Sequence, residues 1–481
     1  MSLLGSAGTT LFDTLTGAVT EVRNPATGAV TATFRPAEAA DVSAATDRAL
    51  AAQVDWAAAG PLRRAEVMHD AARLILEHEQ EFVDWGIKET GGIAAKAAHE
   101  VHASHGELLA AAALATEPYG QLAPTGAPRL SLARRIPFGV VGIIAPWNFP
   151  LVLAMRAVAP ALVLGNAVLL KPDHQTPVFG GALIGRLLEE AGLPAGVLAV
   201  LPGPAATGAA LVDEPRVPMI SFTGSTRAGK LVGQAAAANL KKVSLELGGN
   251  NALIVLDDAD VAAASSIGAW GSFFHQGQIC LTTGRHLVQR GIAEAYVEAL
   301  AARAEKLRVG DPADPQVQLG PIINATQLAT VDRIVADTLK AGATARTGGA
   351  PTGDGLFYPA TVLTGVTRDM PAFTEEIFGP VAPITVFDEV EEAVALANSS
   401  PYGLSAAVLT GAPFLGWQIA ERLRAGMVHV NDTTVNDDPT SPFGGMGASG
   451  NGGRYGGQAN WEEFTQWQWL TVRDTPASYP F

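Results

Sequence analysis

The spacing of apolar residues changes near position 138 of the chain. Between Asp41 and Ala115 the sequence is rich in alanine and its apolar residues recur at helical intervals, so we predict helices in that region. From Phe138 onward, short apolar runs alternate with helical segments. These runs lie in "FGVVGIIAPWN", "NAVLLKPD", "GVLAVLPG", "PMISFTGS" and "KKVSLELGG". Such alternation is typical of βαβ units, in which helices cover both faces of a parallel sheet.

A second alternating series begins after Gly249. Its apolar runs lie in "NALIVLDD", "RHLVQR", "APITVFD" and "GMVHVND", and a helix is predicted around Ile292 to Leu307. The two series indicate an α/β protein with two domains, each with its own sheet. The C-terminal segment "FTQWQWLTVRD" alternates as a strand does. We expect it to pair away from both cores, with another subunit as one candidate partner.

Composition and charge narrow the class of protein. The chain has 481 residues, of which 48% are hydrophobic and 16% charged, which is enough for large buried cores. Its net charge of −15 disfavours nucleic acid and anionic membranes as partners. A single cysteine cannot form an internal disulfide, which fits a reducing compartment. The chain shows no signal-peptide pattern and no clean apolar span, so we expect a cytoplasmic enzyme.

That single cysteine, Cys280, lies in the polar stretch "FFHQGQICLTTGR". A lone cysteine is often a buried, unreactive residue. Here, however, Gly277 lets the backbone approach a ligand closely, and polar residues surround the thiol. Because a thiolate is a good nucleophile, Cys280 is a candidate for covalent catalysis.

Two further residues are candidates for the same chemistry. Glu246 ends an apolar strand in "SLELGGNN", where it is either an exposed strand-end carboxylate or a general base at the carboxyl edge of a parallel sheet. Asn148 follows a predicted strand in "APWNFP". It is either a turn residue or a rigidly held amide donor, as an oxyanion site requires.

Signals for a phosphate-bearing ligand are weaker. In "SFTGSTRAGK" a strand, a Gly-Ser turn and a helix follow one another, and N–H groups at a helix start bind phosphate. Lys171 ends a strand in "LLKPDHQTP", where it either contacts a ribose or phosphate or is solvated. The carboxylates of "EEIFGPV" are uninformative by themselves.

Together these motifs resemble the NAD(P)-dependent aldehyde dehydrogenase superfamily along nearly the whole chain. The resemblance is carried, in order, by "PWNFP", "GNAVLLKPDHQTP", "FTGSTRAG", "LELGGNN", "GQIC", "LGPII", "EEIFGPV", "SPYGLSAAV" and "PFGGMGASG". Within that superfamily, "HQGQICLTTGRHLV" and "NFPLVLAMRAVAP" are similar to the benzaldehyde, salicylaldehyde and vanillin dehydrogenase group.

The resemblance implies that an aldehyde, favoured as aromatic, is oxidised to its carboxylic acid with NAD or NADP. It implies Cys280 as the nucleophile, Asn148 with the Cys280 N–H as the oxyanion hole, and Glu246 as the base that activates water. The residues implied in cofactor binding are Trp147, Lys171, His174, Gly224, Ser225, Gly229, Leu247, Glu376 and Phe378. The residues expected around the substrate are Phe149, Leu153, Arg156, Ile279, Leu281 and Phe443.

The chain departs from the superfamily at several positions. His174 stands where members that prefer NAD often carry a ribose-binding glutamate, so NADP becomes possible and the choice stays open. Arg227 either adds positive charge nearby or faces solvent. Arg156 and Ala157 replace an aromatic-lysine pair of many aliphatic-aldehyde members, and Arg156 either orients a ring hydroxyl or pairs within the fold. Trp85 is a further candidate wall, or a residue of a helix core.

The alternatives to this function are of three kinds. One is a member that acts on aliphatic aldehydes or semialdehydes or that acylates coenzyme A, although Glu246 disfavours coenzyme A as the acceptor. The others are a cofactor-independent cysteine esterase and a non-catalytic scaffold. The histidines are scattered and Cys280 has another role, so we expect no metal site.

The resemblance also implies the domain plan of an aldehyde dehydrogenase-like α/β fold. A Rossmann-type cofactor domain would comprise residues 1–121 and 138–248 with part of 430–460. An α/β catalytic domain would comprise residues 249–429. A small bridging element of residues 122–137 and 461–481 would join subunits into a homodimer or homotetramer.

Overall fold

The structure is a computed structural model that describes residues 2–4, 11–353 and 355–481. The start of the predicted cofactor domain, residues 1 and 5–10, lies outside these described residues. The first elements are an antiparallel pair, β1 (Thr20–Arg23) and β2 (Val30–Phe34). Four helices follow, and they confirm the helices predicted from the alanine-rich region: α1 (Ala39–Ala58), α2 (Pro61–Glu77), α3 (Glu79–Thr90) and α4 (Ala94–Ala113).

The next region builds a parallel sheet after two strands that belong elsewhere. Its elements are β3 (Gly120–Leu122), β4 (Leu130–Pro137), β5 (Val140–Ile144), α5 (Pro150–Val163), β6 (Ala167–Lys171), α6 (Leu183–Glu190), β7 (Leu198–Val200), α7 (Ala205–Asp213), β8 (Met219–Thr223), α8 (Thr226–Ala238) and β9 (Lys242–Glu246). Strands β5 to β9 form a parallel sheet in the order β7-β6-β5-β8-β9. The chain starts this sheet at β5 and extends it first on one side and then on the other, so its topological switch point lies between β5 and β8, where open α/β sheets bind ligands.

The second series of strands and helices forms a separate sheet. Its elements are β10 (Asn251–Val255), α9 (Val261–Phe273), β11 (Thr283–Gln289), α10 (Arg290–Ala304), α11 (Ala325–Lys340), β12 (Thr344–Thr347), β13 (Thr361–Thr364), α12 (Pro371–Thr374), β14 (Val381–Phe387), α13 (Val390–Ala397), β15 (Tyr402–Gly403), β16 (Ser405–Leu409), α14 (Pro413–Ala420) and β17 (Met427–Val430). The strand order is β12-β13-β14-β11-β10-β16-β17, and only the β12–β13 pairing is antiparallel among the described strands of this sheet.

The C-terminal region contributes β18 (Met446–Gly447), α15 (Ala459–Phe464) and β19 (Thr465–Val472). Strand β18 pairs with β15, whereas β19 pairs with β4, which in turn pairs with β3. The tail segment is therefore a strand outside both large sheets, as predicted, and its pairing partners in this chain are the strands near residues 120–137.

Helix α5 and strand β6 account for the most apolar stretch of the sequence. Every residue of α5 except Leu153 is buried, and so is all of β6, because the helix packs between α4 and the sheet. A helix that is apolar all round belongs in such a core. Within the described ranges, no helix combines the length and the apolar character needed to cross a membrane. The α/β fold class predicted from the sequence is confirmed.

Candidate active site

The ends of several strands bring the predicted site residues to one cleft. Asn148 lies in the loop between β5 and α5, Glu246 is the last residue of β9, and Ser225 directly precedes α8. Cys280 comes from the second sheet region, in the loop between α9 and β11. A cavity of about 250 Å³ lies between them. It is lined by Pro146, Trp147, Asn148, Leu153, Thr223, Gly224, Ser225, Leu247, Gly248, Cys280, Gln327, Thr330, Glu376 and Phe378.

The loop that carries the cysteine has an unusual backbone. His275, Gln276 and Gly277 have φ angles of 48°, 55° and 65°, and the left-handed region is uncommon for residues other than glycine. The side chain of Gln276 fixes this turn by donating hydrogen bonds to the carbonyl oxygens of Gly91 at 3.0 Å and Pro321 at 2.9 Å. The surrounding structure thus holds a strained turn directly before the nucleophile, as is common at functional sites.

Asn148 is buried and bonded to the same loop. Its Nδ2 donates a hydrogen bond of 3.0 Å to the carbonyl oxygen of Gln278, two residues before Cys280. A carboxamide nitrogen carries two N–H donors, so one remains for a ligand in the cavity. The geometry suits a donor to an oxyanion formed at the carbon that Cys280 attacks.

Glu246 is 3% exposed, and neither oxygen of its carboxyl group has a hydrogen-bond partner. Burial raises its pKa well above the usual range, while Arg454 and Arg156 act in the opposite direction. Glu246, Cys280, Thr223 and Tyr455 all line a second, smaller cavity of about 10 Å³. That volume is close to the minimum for one water molecule. In its ionised form, this carboxyl group beside room for one water fits a general base.

The thiol of Cys280 is partly buried where the two cavities meet. Burial raises its pKa to about 12, the carboxylate of Glu376 adds to the rise, and Arg156 opposes it. The thiol is therefore protonated near neutral pH. A thiolate is the reactive species, so the chemistry needs a base or a change of surroundings to form it.

The cofactor side of the large cavity has features that suit a dinucleotide. Ser225 caps α8 by accepting a hydrogen bond from the Ala228 N–H at 3.3 Å, so free N–H groups of the helix start face this edge. Gly229 lets α8 approach Leu247, because a Cβ there would lie 2.3 Å from the Leu247 Cδ2. The NAD(P)-binding residues that were predicted here are compatible with such a ligand.

Aromatic and charged side chains complete this cofactor side. Trp147 and Phe378 pack edge to face with ring centroids 5.5 Å apart. Glu376 accepts a hydrogen bond from the Gly249 N–H at 2.8 Å, and burial raises the pKa of this carboxyl group to about 7. A Cβ on Gly248 would lie 2.2 Å from the Glu376 Oε2, so the glycine makes room for the carboxylate.

Three predicted cofactor residues do not line the cavity. Gly229 acts through Leu247, as described. Lys171 ends β6 as expected but is 6% exposed, and burial lowers its pKa. The solvated alternative for Lys171 is therefore wrong. His174 is exposed, and its Nδ1 lies 3.4 Å from the Asp173 Oδ1.

The predicted substrate residues form an apolar cluster beside the thiol. It comprises buried Phe149, Val152, Ile279, Leu281, Leu404 and Phe443, and Leu153, Phe274 and Cys280 pack against it. Phe443 and Leu404 of this cluster line the small cavity and not the large one, whereas Leu153 and Cys280 line both. Of the predicted substrate residues, Leu153, Arg156 and Phe443 line the small cavity, whereas Phe149, Ile279 and Leu281 are buried and line neither cavity.

Arg156 both pairs within the fold and keeps a free donor. Its Nε donates to the Glu107 Oε1 at 2.8 Å, its Nη2 bonds to Asp437, and its guanidinium carbon lies 4.3 Å above the ring of Phe443. The buried Nη1 has no hydrogen-bond partner, and Arg156 lines the small cavity with Cys280. One N–H edge of the arginine is thus left for a ligand.

Two weaker candidates lie away from both cavities. Trp85 packs in α3 against the large core, with the Lys88 Nζ 5.1 Å from its ring centroid, and lines neither cavity. The helix-core alternative for Trp85 is the one observed. Arg227 is exposed in the first turn of α8. Among the described residues, no group of His, Cys, Asp and Glu could hold a metal ion.

Several residues of the site were not among the candidates named from the sequence. Thr223, Tyr455, Leu404, Gln327 and Phe274 line the cavities or pack on the substrate cluster. Phe274 precedes the cysteine by six residues, and its place in the quoted cysteine stretch was the only available hint. Thr223 and Leu404 lie within the quoted motifs "FTGSTRAG" and "SPYGLSAAV". Gln327 on α11 and Tyr455 lie outside every quoted motif, so only the folded chain identifies them.

Comparisons with known proteins agree with this geometry. A profile described as "Aldehyde dehydrogenase family" matches residues 13–470. A benzaldehyde dehydrogenase (NAD(+)) of Pseudomonas putida is 52% identical over 466 residues, which cover 97% of this chain and 95% of that protein. A vanillin dehydrogenase of an Amycolatopsis species is 50% identical over 478 residues, covering 99% and 98%.

A solved structure gives the same result at the level of the fold. The crystal structure of a salicylaldehyde dehydrogenase from Pseudomonas putida G7, complexed with salicylaldehyde, superposes with a TM-score of 0.93 at 36% identity and covers 96% of both chains. Profile, relatives and structure all extend over nearly the full chain, so the chain belongs to the aldehyde dehydrogenase family of NAD(P)-dependent oxidoreductases.

Proposed function

We propose that the protein oxidises aromatic aldehydes to their carboxylic acids, with Cys280 as nucleophile, Asn148 as oxyanion donor and Glu246 as base. The observation that carries this proposal is the position of Cys280 between two different spaces. One is a cleft of about 250 Å³ with a helix start at its edge, and the other is a small cavity of about 10 Å³ beside an apolar cluster that contains aromatic side chains. Relatives named benzaldehyde and vanillin dehydrogenase support the aromatic class.

In the first step the Cys280 thiol gives its proton to ionised Glu246, which releases it to solvent, and the Sγ forms a bond to the carbonyl carbon of the aldehyde. The carbonyl oxygen becomes an oxyanion of a thiohemiacetal, and the Asn148 Nδ2 and the Cys280 N–H donate to it. Asn148 suits this role because its amide donates without giving up a proton. Removing one such donor typically costs about 3–4 kcal/mol of transition-state stabilisation.

The second step converts the thiohemiacetal into a thioester on Cys280. When bound in the cleft, the nicotinamide cofactor supplies the acceptor for the hydride that leaves the carbon. Glu246 then takes a proton from a water molecule, whose oxygen attacks the thioester carbon. The carbon–sulfur bond breaks, the thiolate of Cys280 leaves, and the carboxylic acid departs.

The pocket accounts for the substrate class. Phe149 and Phe443 offer aromatic surfaces, and Ile279 and Leu281 flank the thiol with aliphatic ones. A flat, uncharged ring fits such walls through offset or edge contacts. The free Nη1 of Arg156 would donate a hydrogen bond to a ring hydroxyl, so we propose that hydroxylated aromatic aldehydes are also substrates.

The cofactor, the assembly and the location complete the proposal. Family members use NAD or NADP, and we propose that this protein accepts both because His174 replaces the acidic ribose ligand. Family members act on small aldehydes and are usually oligomeric. We propose a homodimer or homotetramer joined through the β19-β4-β3 sheet, in the cytoplasm. The domain boundaries given in the sequence analysis belong to the same proposal.

The proposal is tested by initial rates of absorbance gain at 340 nm. Benzaldehyde, 2-hydroxybenzaldehyde, vanillin and hexanal are each compared with NAD and with NADP. We expect the aromatic aldehydes to give the highest kcat/KM, Cys280→Ala to abolish the rate, and Glu246→Gln to lower it by about 10²–10⁴-fold. Carboxylic acid product is measured in parallel by chromatography.

Other outcomes would replace the proposal. A preference for hexanal would assign the enzyme to aliphatic substrates of the same family. A product that forms only with coenzyme A would identify an acylating enzyme. Ester hydrolysis without any absorbance gain at 340 nm would point to a cysteine esterase.

A further inference from the structure

A buried ion pair lies behind the oxyanion turn and has no part in the mechanism above. Lys96 and Glu100 stand one turn apart on α4, both have fully buried side chains, and the Lys96 Nζ bonds to the Glu100 Oε1. Removing two charges from water is costly, and such a pair is seldom kept for stability alone. Its other contacts therefore indicate what it does.

Those contacts converge on the segment that contains Asn148. The Lys96 Nζ donates a hydrogen bond of 2.7 Å to the backbone carbonyl oxygen of Asn148 and lies 4.4 Å from the ring centroid of Phe149. The Glu100 Oε2 accepts hydrogen bonds from the N–H groups of Leu151 at 3.0 Å and Val152 at 3.3 Å, in the first turn of α5. The pair thus binds both sides of the turn that leads into α5.

The opposite end of Asn148 is bound to the nucleophile loop. Its carboxamide donates to the Gln278 carbonyl oxygen, while its backbone is bound to α4 through Lys96. The side chain of Asn148 is therefore held between two parts of the molecule that are far apart in sequence. A shift of about 1 Å at such a donor is enough to weaken transition-state stabilisation.

We infer that Lys96, supported by Glu100, is a positioning residue for the oxyanion hole, because its ammonium group fixes the backbone carbonyl of Asn148 and thereby aims the Asn148 carboxamide at the oxyanion. This inference rests on the proposed role of Asn148. Lys96 lines neither cavity and touches no reacting atom. Its effect on the rate must therefore pass through Asn148.

A double-mutant cycle tests that dependence. The pair variant Lys96→Met/Glu100→Gln removes both charges together, so no unpaired charge is left in the core. The cycle compares four proteins: wild type, the pair variant, Asn148→Ala, and the pair variant that also carries Asn148→Ala. If Lys96 acts through Asn148, the pair change should matter when Asn148 is present and have little effect when it is absent.

The measurements separate positioning from general damage. We expect the pair variant to slow two reactions about tenfold or more: the first turnover with NAD and benzaldehyde, and the cofactor-free acylation by p-nitrophenyl acetate. Both build an oxyanion at the attacked carbon. Alkylation of Cys280 by iodoacetamide builds none, so its rate should stay within about twofold of wild type. The KM for benzaldehyde should change less than the first-turnover rate.

Arg64→Met is the matched control, because Arg64 on α2 binds the C-terminal end of α5, whereas Lys96 and Glu100 bind its N-terminal end. Arg64 is also buried, and its Nε donates a hydrogen bond of 2.7 Å to the carbonyl oxygen of Val163, the last residue of α5. Its loss should lower the melting temperature but leave the first-turnover rate per folded molecule unchanged. Glu100→Gln alone, which keeps Lys96, should slow the first turnover less than the pair variant does and serves if the pair variant fails to fold.

The results distinguish this inference from the proposed function. If Asn148→Ala leaves the first turnover unchanged, the oxyanion role of Asn148 fails and the inference fails with it. If Asn148→Ala slows the reaction but the pair variant does not, or if the two effects multiply, only the inference is overturned. If the pair variant slows alkylation as much as acylation, the effect is not specific to the oxyanion. Lys96 would then have only a structural role.

Discussion

At the scale of single residues, burial decides what the polar groups of the site do. Glu246 has an unpaired buried carboxyl group, Cys280 a thiol with a raised pKa, and Lys171 an ammonium group with a lowered pKa. The sequence identified these residues but left open, for each, a functional role and a purely structural or solvated one. Residues that are distant in sequence pack around these groups and bury them. Burial shifts the pKa of each group towards its uncharged form.

The first prediction at this scale concerns the thiol. Below its pKa, the fraction of a thiol present as thiolate rises about tenfold per pH unit. Because the pKa of Cys280 is raised to about 12, the rate of alkylation by iodoacetamide in the absence of cofactor should rise at that slope from pH 7 to pH 9 without levelling off. Mass spectrometry measures this alkylation rate without a contribution from other thiols, since the chain has one cysteine. A plateau by pH 8 would contradict the raised pKa.

The second prediction concerns the choice of cofactor. A glutamate at position 174 would accept hydrogen bonds from ribose hydroxyls and repel a 2′-phosphate, so His174→Glu should raise the ratio of kcat/KM for NAD to that for NADP by about tenfold or more. The readout is the rate at 340 nm with each cofactor.

The control for this change is His69→Glu, which adds the same charge at an exposed position on α2. It should leave the cofactor ratio unchanged. If His174→Glu also has no effect, the side chain at position 174 does not contact the ribose, and the argument for relaxed cofactor choice loses its basis.

At the scale of elements, the strained turn before Cys280 shows how the loop is fixed. Gln276 bonds to two carbonyl oxygens from separate loops, and Gly277 packs its α-carbon against the backbone of Gly379. The turn therefore depends on neighbours from three distant segments. A sequence pattern marks the glycine, but it does not show that two non-glycine residues before it share the left-handed conformation.

The prediction at this scale is that Gly277→Ala is strongly destabilising. Its φ is 65°, and a Cβ would lie 2.1 Å from the carbonyl oxygen of Gly379, so backbone strain of about 1–3 kcal/mol adds to a comparable overpacking cost. Gly28→Ala is the matched control, since its φ is 72° but nothing lies within 4 Å of a Cβ there.

Thermal unfolding, followed by circular dichroism, measures the two glycine variants side by side. We expect the midpoint for Gly277→Ala to fall several degrees below that for Gly28→Ala. Equal midpoints would mean that the loop moves away from Gly379 at little cost. In that case the turn is not held as rigidly as its contacts indicate.

At the scale of the whole molecule, two large sheets meet at the cleft and a third, small sheet stands apart. The β19-β4-β3 sheet exposes large side chains: Trp467 is 53% exposed and Trp469 is 66% exposed. Arginines cover part of these rings, with Arg135 4.0 Å from the centroid of Trp467. Exposed aromatic residues on a small sheet are typical of a surface that another subunit covers.

The prediction at this scale is that Trp467→Glu/Trp469→Glu disrupts the proposed homo-oligomer. Two carboxylates placed in an apolar interface would be desolvated without partners, which is costly. Size-exclusion chromatography with light scattering should show a smaller species. Leu62→Glu, at a 66% exposed position on α2, should leave the mass unchanged. An unchanged mass for the tryptophan variant would place the subunit contact elsewhere.

The sequence by itself determined the class of fold, the position of the main helices and strands, the terminal strand and the family. These features depend on local periodicity and on the order of short motifs, both of which a single chain displays directly. It also predicted Cys280, Asn148 and Glu246 as site residues, and these three line adjoining cavities in the structure.

Tertiary structure alone decided how those residues are held. The bond from Asn148 to Gln278 spans 130 residues, that from Lys96 to Asn148 spans 52, and the contact between Arg156 and Asp437 spans 281. No periodic pattern encodes such pairs, because they form only when two sheets and the helices around them pack together. Burial, charge pairing and the orientation of a hydrogen-bond donor depend on that packing. They therefore follow from the fold and not from the residues that are neighbours in the sequence.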